Sequence, residues 1–163
     1  MRMVRGVLIV FAVLAVAVGC SGRVGLFAGT SPGDLGVRGG KLKAPSKTDN
    51  SVSSQANLYP ENLQSKAAQI APLALRGSGP ATLARIKTVV EGMDGARVVK
   101  SDSDYLYAQY TSKVMGFVDD VEFWYDPAAS VVQVRSASRI GSGDLGVNRK
   151  RIEEVRARLA ALP

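Results

Sequence analysis

The sequence predicts a two-layer α+β domain: a four-stranded antiparallel meander sheet with two helices packed on one face. Three observations predict it. Four short runs rich in Val, Tyr, Phe and Trp follow one another, each pair joined by a short turn. One apolar stripe at helical spacing precedes these runs and a second follows them. Both stripes need a partner surface, and the apolar face of the sheet supplies it.

The first helix is expected after Gly77–Pro80. Pro80 suits a first helical turn, and Leu83, Ile86, Val90 and Met93 then recur on one side. Gly92 and Gly95 end it. Upstream, Ile70 to Leu75 is apolar, but Pro72 lacks a ladder donor, so this run is at most an edge strand. The strands are expected at 96–101, 105–111, 121–126 and 131–136. In the second hairpin, a four-residue loop sets Asp126 opposite Val131. Tyr125 then faces Val132 and Phe123 faces Val134 on an apolar side, with Trp124 opposite Gln133 and Glu122 opposite Arg135 on a polar side. Glu122 and Arg135 are thus expected to pair on the face away from the helices. The last helix is expected from Arg149 to Leu162, with Asn148 as its N-cap and Glu154–Arg158 as an i,i+4 ion pair.

The N-terminal third has a different character. Arg2 and Arg5 precede a uniformly apolar Val7–Val18, followed by Gly19 and Cys20. Twelve apolar residues make about 18 Å of helix, short of a bilayer core of about 30 Å. Ala17-Val18-Gly19-Cys20 resembles a bacterial lipobox, although Ala17 stands where that motif prefers Leu. The expected organisation is a signal peptide over 1–19, a lipid-anchored tether over 20–32 beginning at a lipidated Cys20, and one domain over 33–163. The protein would lie in the bacterial cell envelope, held at the membrane periphery. Composition alone marks 34–55 as disordered, being Gly-, Lys- and Ser-rich without a period. The face of the sheet away from the helices would then be bare, or covered by this segment.

Charge and composition exclude several functions. The net charge is +7, but residues 66–163 carry fourteen Lys/Arg against eleven Asp/Glu. No dense basic stripe with interleaved aromatics is present, so nucleic acid is not an expected partner. The chain has no His and one Cys, which removes Ser-His-Asp and Cys-His catalysis and His-ligated zinc. No metal and no cofactor are expected.

The chemistry is concentrated between Arg135 and Arg151. Arg135, Arg139, Arg149 and Arg151, with Ser136, Ser138 and Asn148, form a candidate anion site at the start of the last helix. The same arginines match four carboxylates, Asp119, Asp120, Glu122 and Asp144, which would make an internal polar network instead. Those carboxylates could alternatively hold a divalent cation, although no calcium-loop spacing is present. Ser53 and Ser54 are weak candidate nucleophiles for a hydrolase with a carboxylate base, and no S-x-x-K spacing supports them. Tyr105, Tyr107, Tyr110 and Trp124 could line a groove, though strand aromatics usually pack. The reading these residues favour is a non-catalytic binding or scaffolding module with an anionic ligand or envelope protein as partner.

Several motifs carry a resemblance. Val52-Ser53-Ser54-Gln55-Ala56, Gly116 to Phe123, Val134 to Arg139, Asp144 to Arg149 and Arg151-Ile152-Glu153 occur in order, and the chain over 33–160 resembles the domain-of-unknown-function family 1499. The resemblance implies envelope or uncharacterised proteins and no reaction. It also implies a pair of cysteines at positions 44 and 51, where this chain has Ala44 and Ser51. Paired loss is what a structural disulfide would show. On this basis residues 50–56 are expected to be docked on the domain rather than disordered.

Overall fold

The computed structural model describes Gly25 and residues 27–163. The signal peptide and Cys20 lie outside the described residues. The chain forms β1 (Ser51–Ser53), a 3-10 turn (Ala56–Leu58), α1 (Ser65–Ala68), β2 (Leu73–Ala74), α2 (Gly79–Glu91), β3 (Ala96–Ser101), β4 (Tyr105–Thr111), β5 (Val118–Asp126), β6 (Val131–Ser138) and α3 (Val147–Ala161).

The antiparallel meander β3-β4-β5-β6 is present, but the sheet has six strands rather than four. β1 and β2 both pair with the outer edge of β6. Ser51 to Ser53 lie against Ala137 to Arg135, and Leu73 and Ala74 lie against Val132 and Val131. The physical reason is the edge itself. An eight-residue strand with one side open presents unpaired N–H and C=O groups, and two short segments cover them. Neither segment is long enough to show a period in the sequence. The third helix, α1, is one turn and was likewise not expected from periodicity.

The β5–β6 register is the expected one throughout: Asp126 faces Val131, Tyr125 faces Val132, Phe123 faces Val134, and Glu122 faces Arg135. The apolar face carries Leu106, Ala108, Val121, Phe123, Val132 and Val134. On it pack Leu83, Ile86 and Val90 of α2 and Ile152, Val155 and Leu159 of α3. Ser78 caps α2, its Oγ accepting from the Ala81 N–H at 3.3 Å. Gly79 lets the first turn meet the Tyr125 ring, because a Cβ there would stand 2.3 Å from it.

The opposite face is not bare. Leu42 covers Tyr105, Tyr107 and Trp124, with Leu35 and Val37 beside it. Residues 34–49 therefore form a third, irregular layer, which corrects the expectation of disorder. Composition misleads here because the segment satisfies its backbone through side chains. The Gly36 N–H donates to Glu122 Oε1 at 2.7 Å, the Leu42 N–H donates to Gln55 Oε1 at 2.8 Å, and Gln55 Nε2 donates to the Gly40 carbonyl at 3.0 Å. The Tyr59 hydroxyl donates to the Leu42 carbonyl. Such bonds leave no trace in hydropathy. The buried core residues all lie between Leu42 and Leu159, so residues 27–163 carry their own core.

Candidate functional site: a cleft on the coil-covered face

Alternation along a strand sends neighbouring side chains to opposite faces. This divides the Arg135–Arg151 cluster. Asp119 lies on the helix side and Asp120 on the coil side, so the four carboxylates do not converge on one cation site.

On the helix side, Arg151 Nη2 reaches Asp119 Oδ2 at 2.6 Å, and the guanidinium lies over the Tyr110 ring at 4.5 Å. Burial pushes the Tyr110 hydroxyl up to about 12. Asn148 is fully buried. Its Oδ1 accepts from Ser136 Oγ at 2.5 Å and Arg151 Nη1 at 2.8 Å, and its Nδ2 donates to the Asn50 carbonyl, Ser138 Oγ and Asp144 Oδ2. Asn148 thus ties α3 to β1 and β6 and is not the N-cap. The cap position is Gly146, whose φ of 77° is left-handed, and the capping carboxylate is Asp144. Asp144 accepts from the Gly146 and Asn148 N–H groups, both at 2.8 Å. Burial would raise its pKa, but the bonds from Asn148 and Gly146 outweigh it and hold the carboxyl below its ordinary 3.8. The start of α3, expected to receive an external anion, is therefore filled by the chain's own carboxylate. Arg149 turns away from this group and binds the Ala67 and Gln69 carbonyls at 2.8 and 2.9 Å.

On the coil side, Arg139 clamps Asp120 with both ends of its fork, Nε to Oδ2 at 2.9 Å and Nη2 to Oδ1 at 2.8 Å. That bond holds the Arg139 guanidinium above its ordinary pKa. The Tyr107 hydroxyl donates to the same carboxylate at 2.5 Å. Next to this closed pair lies an open one. Arg135 and Glu122 face each other as expected, but Nη1 and Oε2 are 3.6 Å apart, beyond hydrogen-bonding distance. Glu122 is fully buried. Its Oε1 accepts from the Tyr105 hydroxyl and the Gly36 N–H, both at 2.7 Å, while Oε2 has no hydrogen-bond partner among the described residues. Burial, with Glu122 adding to it, drives the Tyr105 hydroxyl upward. Arg135 is 4% exposed and makes one hydrogen bond among the described residues, Nε to the Ala44 carbonyl at 3.2 Å. Burial lowers its pKa, opposed by Glu122.

Arg135 and Arg139 form part of the floor of a cleft of about 700 Å³. Lys43, Ala44, Pro45 and Lys47 make one wall, and Glu61, Asn62 and Leu63 make another. Thr30 and Pro32 close it. Part of the expected tether is thus seated on the domain. Phe27 packs on Phe117 with ring centroids 5.4 Å apart, and a Cβ at Gly29 would meet the Arg139 Cβ at 2.7 Å. Lys43 is held by Asp34 at 2.6 Å, which lowers the Asp34 pKa, whereas Lys47 makes no ion pair among the described residues.

Of the residues singled out in the sequence, Arg135, Arg139 and Asp120 meet at this cleft, which Ser138 also lines although its hydroxyl accepts from Asn148 on the helix side. Ser136, Asn148, Arg151 and Asp119 meet on the other side of the sheet. Ser53 and Ser54 are buried beside β6. The Ser53 hydroxyl accepts from the Gln55 N–H, and the Ser54 hydroxyl donates to Gln133 Oε1 and accepts from the Val134 N–H. Among the described residues no carboxylate or lysine is a hydrogen-bond partner of either hydroxyl. The four aromatics divide too: Tyr105, Tyr107 and Trp124 lie under Leu42, and Tyr110 faces α2 and α3. Lys43, Pro45, Lys47 and Leu63 were missed by sequence reasoning, since each sits in an aperiodic loop.

Ala44 and Ser51 both serve the cleft side of β6. The Ala44 carbonyl accepts from Arg135, and the Ser51 hydroxyl accepts from the Ser46 N–H at 2.8 Å, which holds the loop of the first wall. Comparison with curated proteins finds no match for this chain. A family model described as "Protein of unknown function (DUF1499)" matches residues 41–159, which span β1 to α3 and most of the coil layer. The chain belongs to the DUF1499 family.

Proposed function

We propose that this chain is a non-catalytic binding module of the bacterial envelope, lipid-tethered at Cys20, that holds an anionic group in the cleft over Arg135. The observation that carries the reading is the state of Arg135. A guanidinium this deeply buried ordinarily spends its donors on protein partners, because an unpaired buried charge costs several kcal/mol. Arg139, four residues further on, does so with Asp120. Arg135 has Glu122 as a counter-charge 3.6 Å away but leaves Nη1 and Nη2 without hydrogen bonds among the described residues, and it lines a cleft with Lys47. A carboxylate or phosphate oxygen placed there would gain a fork-shaped, charge-assisted contact.

The anchor is supported by the Cys20 motif and by the short path from Cys20 to the segment seated at the cleft. Thermal melting of residues 27–163 with inorganic phosphate, sulfate and acetate tests the anion reading. An anion at about 100 times its dissociation constant adds roughly 2.7 kcal/mol, a shift of several degrees. Arg135→Lys, which keeps the charge and loses the fork, should abolish most of that shift while remaining folded. Absence of a shift with every anion would refute the reading. Labelling by palmitate in cells that is lost in Cys20→Ser tests the anchor separately.

A further inference from the structure

We propose that the group received over Arg135 is the phosphate of an anionic lipid in the membrane to which the chain is tethered, an inference that rests on the anion-binding reading above. Two observations point to a lipid rather than a free ion, and the tether proposed above adds a geometric argument. Leu63, which lines the cleft, is 97% exposed, and Lys47, which makes no ion pair among the described residues, lines the cleft with it. An apolar side chain in open solvent in the same cleft as a free lysine matches what inserts among headgroups while the cation meets the negative surface. The floor of the cleft then offers Arg135 to a phosphate, with the apolar surfaces of Pro32, Pro45 and Ala137 around it. A volume of about 700 Å³ lies in the range of small-ligand sites and takes one headgroup. Lastly, the chain itself sets the distance. Thr30 lines the cleft and stands ten residues after Cys20, a separation of at most about 35 Å when fully extended. A lipid held at Cys20 therefore keeps the cleft within reach of the membrane surface, with α2 and α3 on the far side of the sheet.

The test uses residues 27–163, which lack the anchor and retain the whole core, in flotation with phosphatidylcholine vesicles with and without about 30% phosphatidylglycerol. The protein should float with the anionic vesicles and not with the neutral ones, and excess inorganic phosphate should release it. Leu63→Ser and Lys47→Glu change exposed side chains and leave the fold intact; each should weaken partition about fivefold or more. Lys87→Glu makes the same charge change on α2, across the sheet, and should alter partition less than about twofold. An equal loss from Lys87→Glu would reduce the effect to net charge and overturn the proposal. A melting shift with inorganic phosphate but no flotation would overturn the lipid assignment and leave the anion site standing. Neither response would remove both.

Discussion

At the residue scale, the two buried pairs on the coil side of the sheet are opposites. Asp120 and Arg139 close on each other, whereas Glu122 and Arg135 stay 3.6 Å apart. Removing one partner of a closed buried pair leaves an uncompensated charge, so Asp120→Asn should cost about 3 kcal/mol in urea unfolding. The exposed pair of Asp34 with Lys43 gives the contrast, and Asp34→Asn should cost under about 1 kcal/mol. Comparable losses at both positions would contradict the burial assigned to Arg139. Asp144 supplies a pH test. Its folded pKa is lowered, so its contribution is fully present above the ordinary 3.8 and is lost as pH falls through the folded value. Asp144→Asn should therefore be less stable than wild type by about 1 kcal/mol at neutral pH, with the gap closing in acid as the carboxyl is protonated. A gap that persists in acid would show that the carboxylate charge is not what caps α3. The sequence carried the Glu122–Arg135 pairing, because alternation from the hairpin loop determines it. The same alternation, continued from Phe123 back to Asp119, separates Asp119 from Asp120, so the division of the arginine cluster was legible in principle.

At the scale of elements, α2, α3 and the meander were legible because each repeats a period over six or more residues. β1 was not, since three residues show no period and form a strand only because β6 offers an edge, whereas β2 falls within the Ile70–Leu75 run read as at most an edge strand. The coil layer was illegible for another reason. Its contact with the sheet runs through Leu35, Val37 and Leu42, spaced without a pattern, and through side-chain bonds to its backbone. Leu42 is 1% exposed, so Leu42→Ala should cost about 2–4 kcal/mol, the range of a core leucine rather than of a loop. Trp124 lies under the same layer, and its fluorescence should move to longer wavelength in that variant. A cost below about 0.5 kcal/mol would mean that the layer does not hold to the sheet in solution.

At the scale of the molecule, one sheet separates two polar groups built from one stretch of sequence. On the helix side, Ser136, Asn148, Asp144 and Arg151 join α3 to β1 and β6, a network with its hydrogen bonds made. On the coil side, Arg139 closes one half of the floor and Arg135 leaves the other half open under a cleft. A satisfied network fixes the fold, and an unsatisfied guanidinium at the base of a cleft is what a ligand can use. The most direct measurement is the side-chain ¹⁵N spectrum of arginine in residues 27–163 titrated with inorganic phosphate. The account predicts that the Arg135 guanidinium resonances shift and that their protons exchange more slowly, while Arg151, closed on Asp119, stays still. Arg135 unmoved at saturating phosphate, or Arg151 shifting in its place, would contradict it.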